Sequence, residues 1–178
     1  MRLFVALNLP KEVKDNLFEL KGKIPGKLAK INWISKKNLH VTLKFIGEVN
    51  EGEKNLIVEK LKNVKFKPLK LSLSKLGFFL FNGKPKVIRF NFKDRKSIAE
   101  LQQRIDGELL DVTSRDQKFV PHLTLGRIKN IKKEKEFFSK VDEFKFFKDE
   151  FIVNSFCLVQ SKLTKDGPKY YVVEEFKA

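Results

Sequence analysis

Hydrophobic and polar positions along the chain follow two periods, one typical of strands and one typical of helices. Residues 2–9 contain a short apolar run, and residues 69–73 alternate between apolar and polar side chains, as half-buried strands do. Apolar residues recur every three to four positions in the windows 51–64 and 97–110, which indicates amphipathic helices. The chain is therefore expected to mix strands and helices along its whole length.

The same reading, carried through the chain, predicts seven strands and four helices. The strands are expected at residues 2–9, 39–46, 69–73, 87–92, 122–128, 151–160 and 170–176, and the helices from 10 to a break at 22, then at 51–64, 97–110 and 132–141. Residues 78–85 are expected to form a loop with a turn at Asn82-Gly83, because this dipeptide favours tight turns. Asp166-Gly167-Pro168 is expected to turn the chain between the last two strands.

Both histidines of the chain occur in one repeated pattern, His-x-Thr-Leu, which begins at His40 and again at His122. The two motifs lie about half a chain length apart, each in an apolar strand-like run that a helix follows. We predict an α+β fold of two similar lobes related by a pseudo-twofold axis, each a mainly antiparallel sheet with helices on its outer face. No linker-like segment divides residues 1–178, so a single domain is expected.

The motif offers acid/base chemistry, because residues i and i+2 of a strand face the same side. Each strand presents an imidazole and a hydroxyl together, His40 with Thr42 and His122 with Thr124. If the two strands meet across a cleft, a neutral histidine can accept a proton from water while a protonated one donates to a leaving oxygen. The threonine hydroxyls can donate hydrogen bonds to phosphate oxygens. The set suits a phosphodiester and implies no metal or cofactor.

Two basic residues follow the motifs. Lys44 has the inward parity of its own motif and is expected to be a further phosphate contact. Strict alternation points Arg127 away from the cleft, whereas a bulge at Gly126 would turn it back. A guanidinium in the cleft could then hold a phosphate through two N–H donors.

The net charge and the cysteine content indicate the kind of partner that the protein binds and the compartment in which it occurs. A net charge of +16 favours a polyanionic partner, RNA or DNA first and an acidic membrane surface second, although a generally lysine-rich composition would give the same charge. No run of about 18 apolar residues is present, so no membrane span is predicted. Cys157 is the only cysteine and lies in an apolar run, which indicates an inert buried thiol and a cytoplasmic protein.

Three other features leave a structural and a functional interpretation open. Trp33 is interpreted as a core or rim residue, with base stacking as the alternative. Phe78, Phe79 and Phe81 are interpreted as the packed base of a loop, with a nucleobase platform as the alternative. The basic stretch 129–135 is interpreted as a solvated helix face, with RNA contact as the alternative.

The motifs and the chain ends resemble the two-histidine phosphoesterase superfamily. His-Val-Thr-Leu-Lys-Phe-Ile-Gly at 40–47 and Pro-His-Leu-Thr-Leu-Gly-Arg at 121–127 look like its paired signatures. Within the superfamily the pattern is similar to bacterial and archaeal RNA 2′,3′-cyclic phosphodiesterases, historically called 2′-5′ RNA ligases. Residues 2–7 look like the first strand of that family, and 161–164 with 167–170 look like its last hairpin.

The resemblance implies a bilobal α+β fold with the active site in the groove between the lobes, and metal-independent hydrolysis of RNA 2′,3′-cyclic phosphates to 2′-phosphomonoesters. It implies His40 as proton donor and His122 as proton acceptor, with Thr42, Thr124 and Arg127 binding the phosphate. The expected partner is the single-stranded 3′ end of RNA, tRNA fragments included, bound by a monomer away from membranes. Three alternatives stay open: 2′-5′ ligation of tRNA halves, hydrolysis of a small cyclic nucleotide, and non-catalytic RNA binding.

Overall fold

The computed structural model describes residues 1–114, 118–144, 150–165 and 167–178, so Asp166 of the predicted last turn lies outside the described residues. The described strands are β1 (Arg2–Asn8), β2 (Ala29–Trp33), β3 (His40–Glu48), β4 (Leu69–Leu71), β5 (Leu73–Phe81), β6 (Lys84–Phe92), β7 (His122–Ile131), β8 (Phe151–Val153), β9 (Ser155–Thr164) and β10 (Gly167–Lys177). The described helices are α1 (Lys11–Lys21), α2 (Glu51–Lys62), α3 (Lys96–Glu108) and α4 (Glu134–Asp142), with a 3₁₀ turn at Lys36–Asn38.

Two four-stranded antiparallel sheets carry the two motifs. One has the strand order β10-β9-β1-β3 and the other β2-β7-β6-β5, while β4 and β8 pair as a short third sheet. The motif strands β3 and β7 contact each other, which brings the two sheets side by side. The predicted α+β class with mainly antiparallel sheets is confirmed.

One continuous apolar core joins both sheets to the helices. Each helix turns one apolar stripe toward this core, as its sequence period predicts. The buried stripes are Val13, Leu17 and Leu20 of α1, Ile57 and Leu61 of α2, Ile98, Leu101 and Ile105 of α3, and Phe137 and Val141 of α4. No helix in the described ranges has the length and apolar character needed to cross a membrane.

Local signals set several element boundaries. The α1 helix begins directly after Pro10, whose fixed backbone torsion suits a helix start. At the start of α2 the Asn50 side chain accepts a hydrogen bond from the Glu53 backbone N–H, and the Glu53 carboxylate accepts one from the Asn50 N–H. This reciprocal capping box satisfies two N–H groups that would otherwise lack a partner in the first turn.

The predicted loop at residues 78–85 is wrong, because most of it is a β-hairpin formed by β5 and β6. Only Asn82 and Gly83 turn the chain, with positive φ angles of 48° and 72° that match a two-residue hairpin turn. Aromatic residues favour strands because they pack well on a pleated surface. Phe78 does so against Phe138 of α4, with ring centroids 5.6 Å apart.

Two further boundaries and one strand differ from the sequence prediction. The run 69–73 breaks at Ser72 into β4 and β5, and the run 151–160 breaks at Asn154 into β8 and β9. The edge strand β2 was not predicted. Its five residues have too short an apolar pattern to signal a strand, and pairing with β7 holds it in place.

Candidate active site

A cleft of about 270 Å³ opens beside the two motif strands. Both motifs supply residues to its wall, and the segment that precedes β7 supplies others. The lining includes Thr42, Phe45, Phe79, Lys118, Phe119 and His122. The structure thus brings together the two motifs that the sequence places half a chain apart.

The His40 ring is held by a carbonyl and a hydroxyl. Its Nδ1 lies 2.7 Å from the carbonyl oxygen of Asn38, and its Nε2 lies 3.0 Å from the Thr42 hydroxyl. Because a carbonyl oxygen only accepts, Nδ1 carries a proton and Nε2 is the nitrogen available for proton transfer. The Asn38 side chain in turn donates to the carbonyl oxygen of Pro168 at 2.9 Å, which ties this turn to the β10 end of the hairpin.

The His122 ring is held in the same way. Its Nδ1 lies 2.7 Å from the carbonyl oxygen of Val120, again two residues before the histidine. The same tautomer follows, with Nε2 as the nitrogen free of the backbone carbonyl. Both lobes therefore orient their imidazole by one local device.

Burial lowers the pKa of both histidines. For His40, the hydrogen bond to Asn38 opposes this effect, while the nearby charges of Lys14 and His122 lower the pKa further. For His122, the hydrogen bond to Val120 opposes burial and the charge of Arg89 adds to it. Both shifts favour the neutral imidazole in the free protein, so an acid role requires that one histidine gain a proton when the cleft is filled.

A β-bulge lies at the leucine of the first motif. Strand β1 places Val5 opposite Lys44 but Ala6 opposite Thr42, so Leu43 is the extra residue. A bulge puts two successive residues on one side of the sheet and reverses the alternation beyond it. Leu43 and Lys44 are accordingly both buried.

The second motif has the matching bulge. Strand β6 places Ile88 opposite Gly126 but Arg89 opposite Thr124, which makes Leu125 the extra residue. The pseudo-twofold relation between the lobes therefore extends to the same position of each motif. A bulge beside Gly126 was the condition under which the sequence would turn the next residue toward the cleft.

The prediction that Lys44 contacts the phosphate is wrong, because the bulge turns its side chain into the core. Its ammonium donates to the carboxylate of Asp106 on α3 and, at 2.8 Å, to the carbonyl oxygen of Ser114. Both side chains of this ion pair are buried. Lys44 therefore fastens the segment after α3 beneath the cleft.

The bulges bring Phe45 and Arg127 to the cleft side of their strands. Arg127 stands opposite Val87, which shares a face of β6 with Arg89, the partner of Thr124. Arg127 and Thr124 hence share one face, and Arg127 is exposed. At the equivalent position of the first lobe, Phe45 is 72% exposed and lines the cleft.

Aromatic rings flank both histidines. The His40 ring centroid lies 5.0 Å from that of Phe4 and 5.3 Å from that of Tyr170. The His122 ring lies edge-on to Phe79 at 4.7 Å. Phe79 belongs to the group that the sequence left open between a packed loop base and a nucleobase platform. Phe4 and Tyr170 were not predicted beside His40, because strand pairing places them there.

An arginine that sequence reasoning also missed lies beside the second histidine. The Arg89 guanidinium carbon sits 4.0 Å from the centroid of Phe79, and one of its terminal nitrogens donates to the Asn91 side chain. Trp33, by contrast, packs against the core from the edge strand β2. Among the residues that the structure describes, no three His, Cys, Asp or Glu side chains come together to hold a metal ion.

Two lobes that repeat one His-x-Thr strand, one bulge and one imidazole orientation define the class of this protein: it is a two-histidine phosphoesterase. The chain matches the sequence profile of the LigT-like phosphoesterases over residues 7–88 and 93–170. It therefore belongs to the LigT-like phosphoesterase family.

Individual relatives agree with this assignment. Over 183 residues, 99% of this chain and all of its relative, it is 31% identical to a Methanocaldococcus jannaschii protein named RNA 2′,3′-cyclic phosphodiesterase. An Archaeoglobus fulgidus protein of the same name is 32% identical over 179 residues, 99% of this chain and all of the relative. The solved structure of TT0787 of Thermus thermophilus superposes with a TM-score of 0.79 at 27% identity, covering 99% of this chain and 97% of that one.

A more distant solved structure shares the fold alone. Escherichia coli LigT complexed with 3′-AMP has a TM-score of 0.79 at 20% identity, covering 99% of this chain and 96% of that one. The predicted two-histidine phosphoesterase fold is confirmed by these superpositions.

Proposed function

We propose that this protein hydrolyses 2′,3′-cyclic phosphate ends of RNA to 2′-phosphomonoesters, with one histidine as acid and the other as base. The observation that carries the proposal is that His40 and His122 lie near each other with their rings oriented alike, each with its Nδ1 fixed, while Thr42 and His122 line one cleft. Full-length relatives named for this activity support the choice of substrate.

His122 is the base of the proposed reaction. Its neighbour Phe79 already holds the Arg89 guanidinium near its ring, at 4.0 Å from the centroid, and the charge of that guanidinium disfavours a second cation nearby. A neutral Nε2 can take a proton from the attacking water as the water oxygen bonds to phosphorus. The base role is the one that the family resemblance implies for His122, and the charge of Arg89 favours the neutral imidazole that this role requires.

His40 is the acid. The rings of Phe4 and Tyr170 pack beside its imidazole, with ring centroids 5.0 and 5.3 Å away, and the resemblance to the family implies the acid role for this histidine. Its protonated Nε2 gives a proton to the 3′ oxygen as the bond from that oxygen to phosphorus breaks. The 2′ oxygen keeps the phosphate, so the product is a 2′-phosphomonoester.

Thr42, Thr124 and Arg127 bind the phosphate oxygens in this proposal. The two hydroxyls share their strand faces with the histidines, and the bulge turns Arg127 to the same side as Thr124. Hydrogen bonds from such preset donors stabilise the charge that develops on the phosphate oxygens in the transition state.

We further propose that the substrate is a single-stranded RNA 3′ end, bound by a monomer in the cytoplasm. The net charge of +16 supports a long polyanion over a small cyclic nucleotide. Each phosphate contacted on a single strand should contribute a slope of roughly −0.7 to log K against log salt. A slope near zero for an RNA of about ten nucleotides would favour the small-nucleotide alternative. Ligation to a 2′-5′ linkage would use the same two histidines in reverse.

The deciding experiment is incubation of an RNA that ends in a 2′,3′-cyclic phosphate with the protein in EDTA, with the terminal product identified by mass spectrometry and nuclease mapping. We expect a 2′-phosphate, formed without added metal. Loss of activity in EDTA that a divalent ion restores would contradict metal independence, and a 3′-phosphate product would contradict the assigned leaving group. The His122→Ala variant serves as the inactive control.

A further inference from the structure

Each histidine lies opposite an asparagine on the neighbouring strand of its sheet. Asn8 of β1 stands opposite His40, and Asn91 of β6 stands opposite His122. The two positions are equivalent under the pseudo-twofold relation, because β1 pairs with the motif strand β3 in one sheet as β6 pairs with the motif strand β7 in the other. The repeat therefore includes the residue opposite each imidazole.

Each of these asparagines holds a cation. The Lys14 ammonium donates to the Asn8 side-chain oxygen at 2.6 Å, and the Arg89 guanidinium donates to the Asn91 side-chain oxygen. The two cations come from different elements, because Lys14 lies on α1 whereas Arg89 lies on β6 itself. Two different segments thus form the same arrangement, a cation hydrogen-bonded to the side chain of the asparagine opposite a histidine.

The strand positions explain why the cations come from different elements. In the second lobe Arg89 stands opposite Thr124, and in the first lobe the equivalent position opposite Thr42 is Ala6. Alanine cannot supply a charge, and the first lobe receives its cation from the neighbouring helix.

We propose that Lys14 and Arg89 are a matched pair of positioning cations, each fastened by the asparagine opposite one histidine, which make proton uptake by the histidines depend on an anion in the cleft. The proposal rests on the function proposed above. Without an anion, each cation repels a proton from its neighbouring imidazole. A phosphate bound in the cleft would bring negative charge near both cations, offset them, and allow His40 to take up the proton that it later donates.

Other titratable groups also face the histidines and have to be separated from this pair. His40 lies edge-on to the ring of Tyr170, a residue whose own pKa is raised by burial, with Arg127 and Arg2 nearby acting in the opposite direction. His122 shares its cleft with Lys118, and the two histidines act on each other. Lys14 and Arg89 differ from these groups because each is anchored by an asparagine.

A nuclear magnetic resonance titration tests the proposal without any RNA. The chain has only two histidines, so the spectrum contains two imidazole Cε1–H signals, assigned with the His40→Ala variant. Lys14→Met should move the His40 midpoint to higher pH, and Arg89→Met the His122 midpoint. We expect a shift of roughly half a pH unit in each case, the size of the effect of one partly screened charge near an imidazole.

Inorganic phosphate is the probe for the second half of the proposal. In the unaltered protein, saturating phosphate should raise the midpoint of His40. Lys14→Met and Arg89→Met should each weaken phosphate binding and narrow the difference between the free and phosphate-bound midpoints. A midpoint of His40 that phosphate does not move would overturn the proposal.

Matched controls remove a charge elsewhere. Lys11→Met alters an exposed lysine of the same helix, and Arg104→Met alters an arginine whose guanidinium binds the Lys65 carbonyl oxygen. Neither should move a histidine midpoint. Equal movement of both midpoints in all four variants would reduce the effect to net charge and overturn the pairing, as would no movement in any variant.

The asparagines are tested through their cations. Asn91→Ala should reproduce part of the effect of Arg89→Met, and the double variant should show no more than Arg89→Met alone. Lys14→Arg keeps the positive charge, so its His40 midpoint should stay as low as in the unaltered protein, unlike that of Lys14→Met. If the histidine midpoints do not shift as expected while cyclic phosphate hydrolysis persists, this inference alone is overturned. If the midpoints shift as expected in a protein that lacks that activity, the proposed function alone is overturned.

Discussion

The close approach of β2 to Gly126 yields a prediction whose size follows from the structure. A Cβ atom at this position would lie 2.7 Å from Cγ2 of Ile31, 3.0 Å from Cε3 of Trp33 and 3.2 Å from the carbonyl oxygen of Asn32. The last contact is with backbone, so the added methyl group cannot be accommodated by side-chain rotation alone. Gly126→Ala should therefore push the edge strand away from β7.

The expected destabilisation is that of an overpacked site, about 1–3 kcal/mol. For a chain of this length this corresponds to a melting temperature lower by about 2–12 °C. Thermal and denaturant unfolding followed by circular dichroism measure the change. Because Arg127 is the next residue and pairs with β2, KM for a cyclic phosphate substrate should rise as well.

The matched control is Gly107→Ala in α3, where a Cβ would meet nothing within 4 Å. Alanine favours helix over glycine by about 0.5–1 kcal/mol, so this variant should be as stable as the parent or slightly more so. A Gly126→Ala protein with an unchanged melting temperature and an unchanged KM would refute the argument that this glycine is needed for the close approach.

Three further predictions concern the histidines and the buried ion pair. His40→Ala and His122→Ala should each lower kcat/KM by at least ~10², and a substrate with a leaving group of low pKa should rescue His40→Ala only; rescue of His122→Ala alone would reverse the two roles. Burial lowers the pKa of both histidines below the ordinary value of 6.5, so below that pH the unfolded chain takes up protons that the folded chain refuses, and stability should fall as the pH drops toward the folded values. His40→Ala should flatten this fall in urea titrations between about pH 7 and 5, and an unchanged slope would contradict the burial argument. Lys44→Met should cost about 3–5 kcal/mol, because it leaves the buried Asp106 carboxylate without this cation. The additional change Asp106→Leu should recover much of that loss, and a double variant no more stable than Lys44→Met would contradict the assignment.

Local patterns predicted most elements of the fold. The helix periods in α1, α2 and α3 and the strand that follows Pro121 were predicted because each depends on residues close in sequence. In the hairpin of β5 and β6 the turn and residues 87–92 of β6 were predicted, whereas β5 was missed. Its phenylalanines face α4 on one side and the cleft on the other, which sequence alone does not distinguish from a packed loop.

The amino-acid sequence was sufficient to predict that each histidine shares a strand face with its threonine, because residues i and i+2 of a strand point the same way whatever their neighbours are. The directions of Lys44 and Arg127 required the folded structure. A bulge is a property of two paired strands, and one extra residue reverses every later side chain. The same holds for Asn8, Asn91, Lys14 and Arg89, which come close to the histidines only through strand pairing and helix packing.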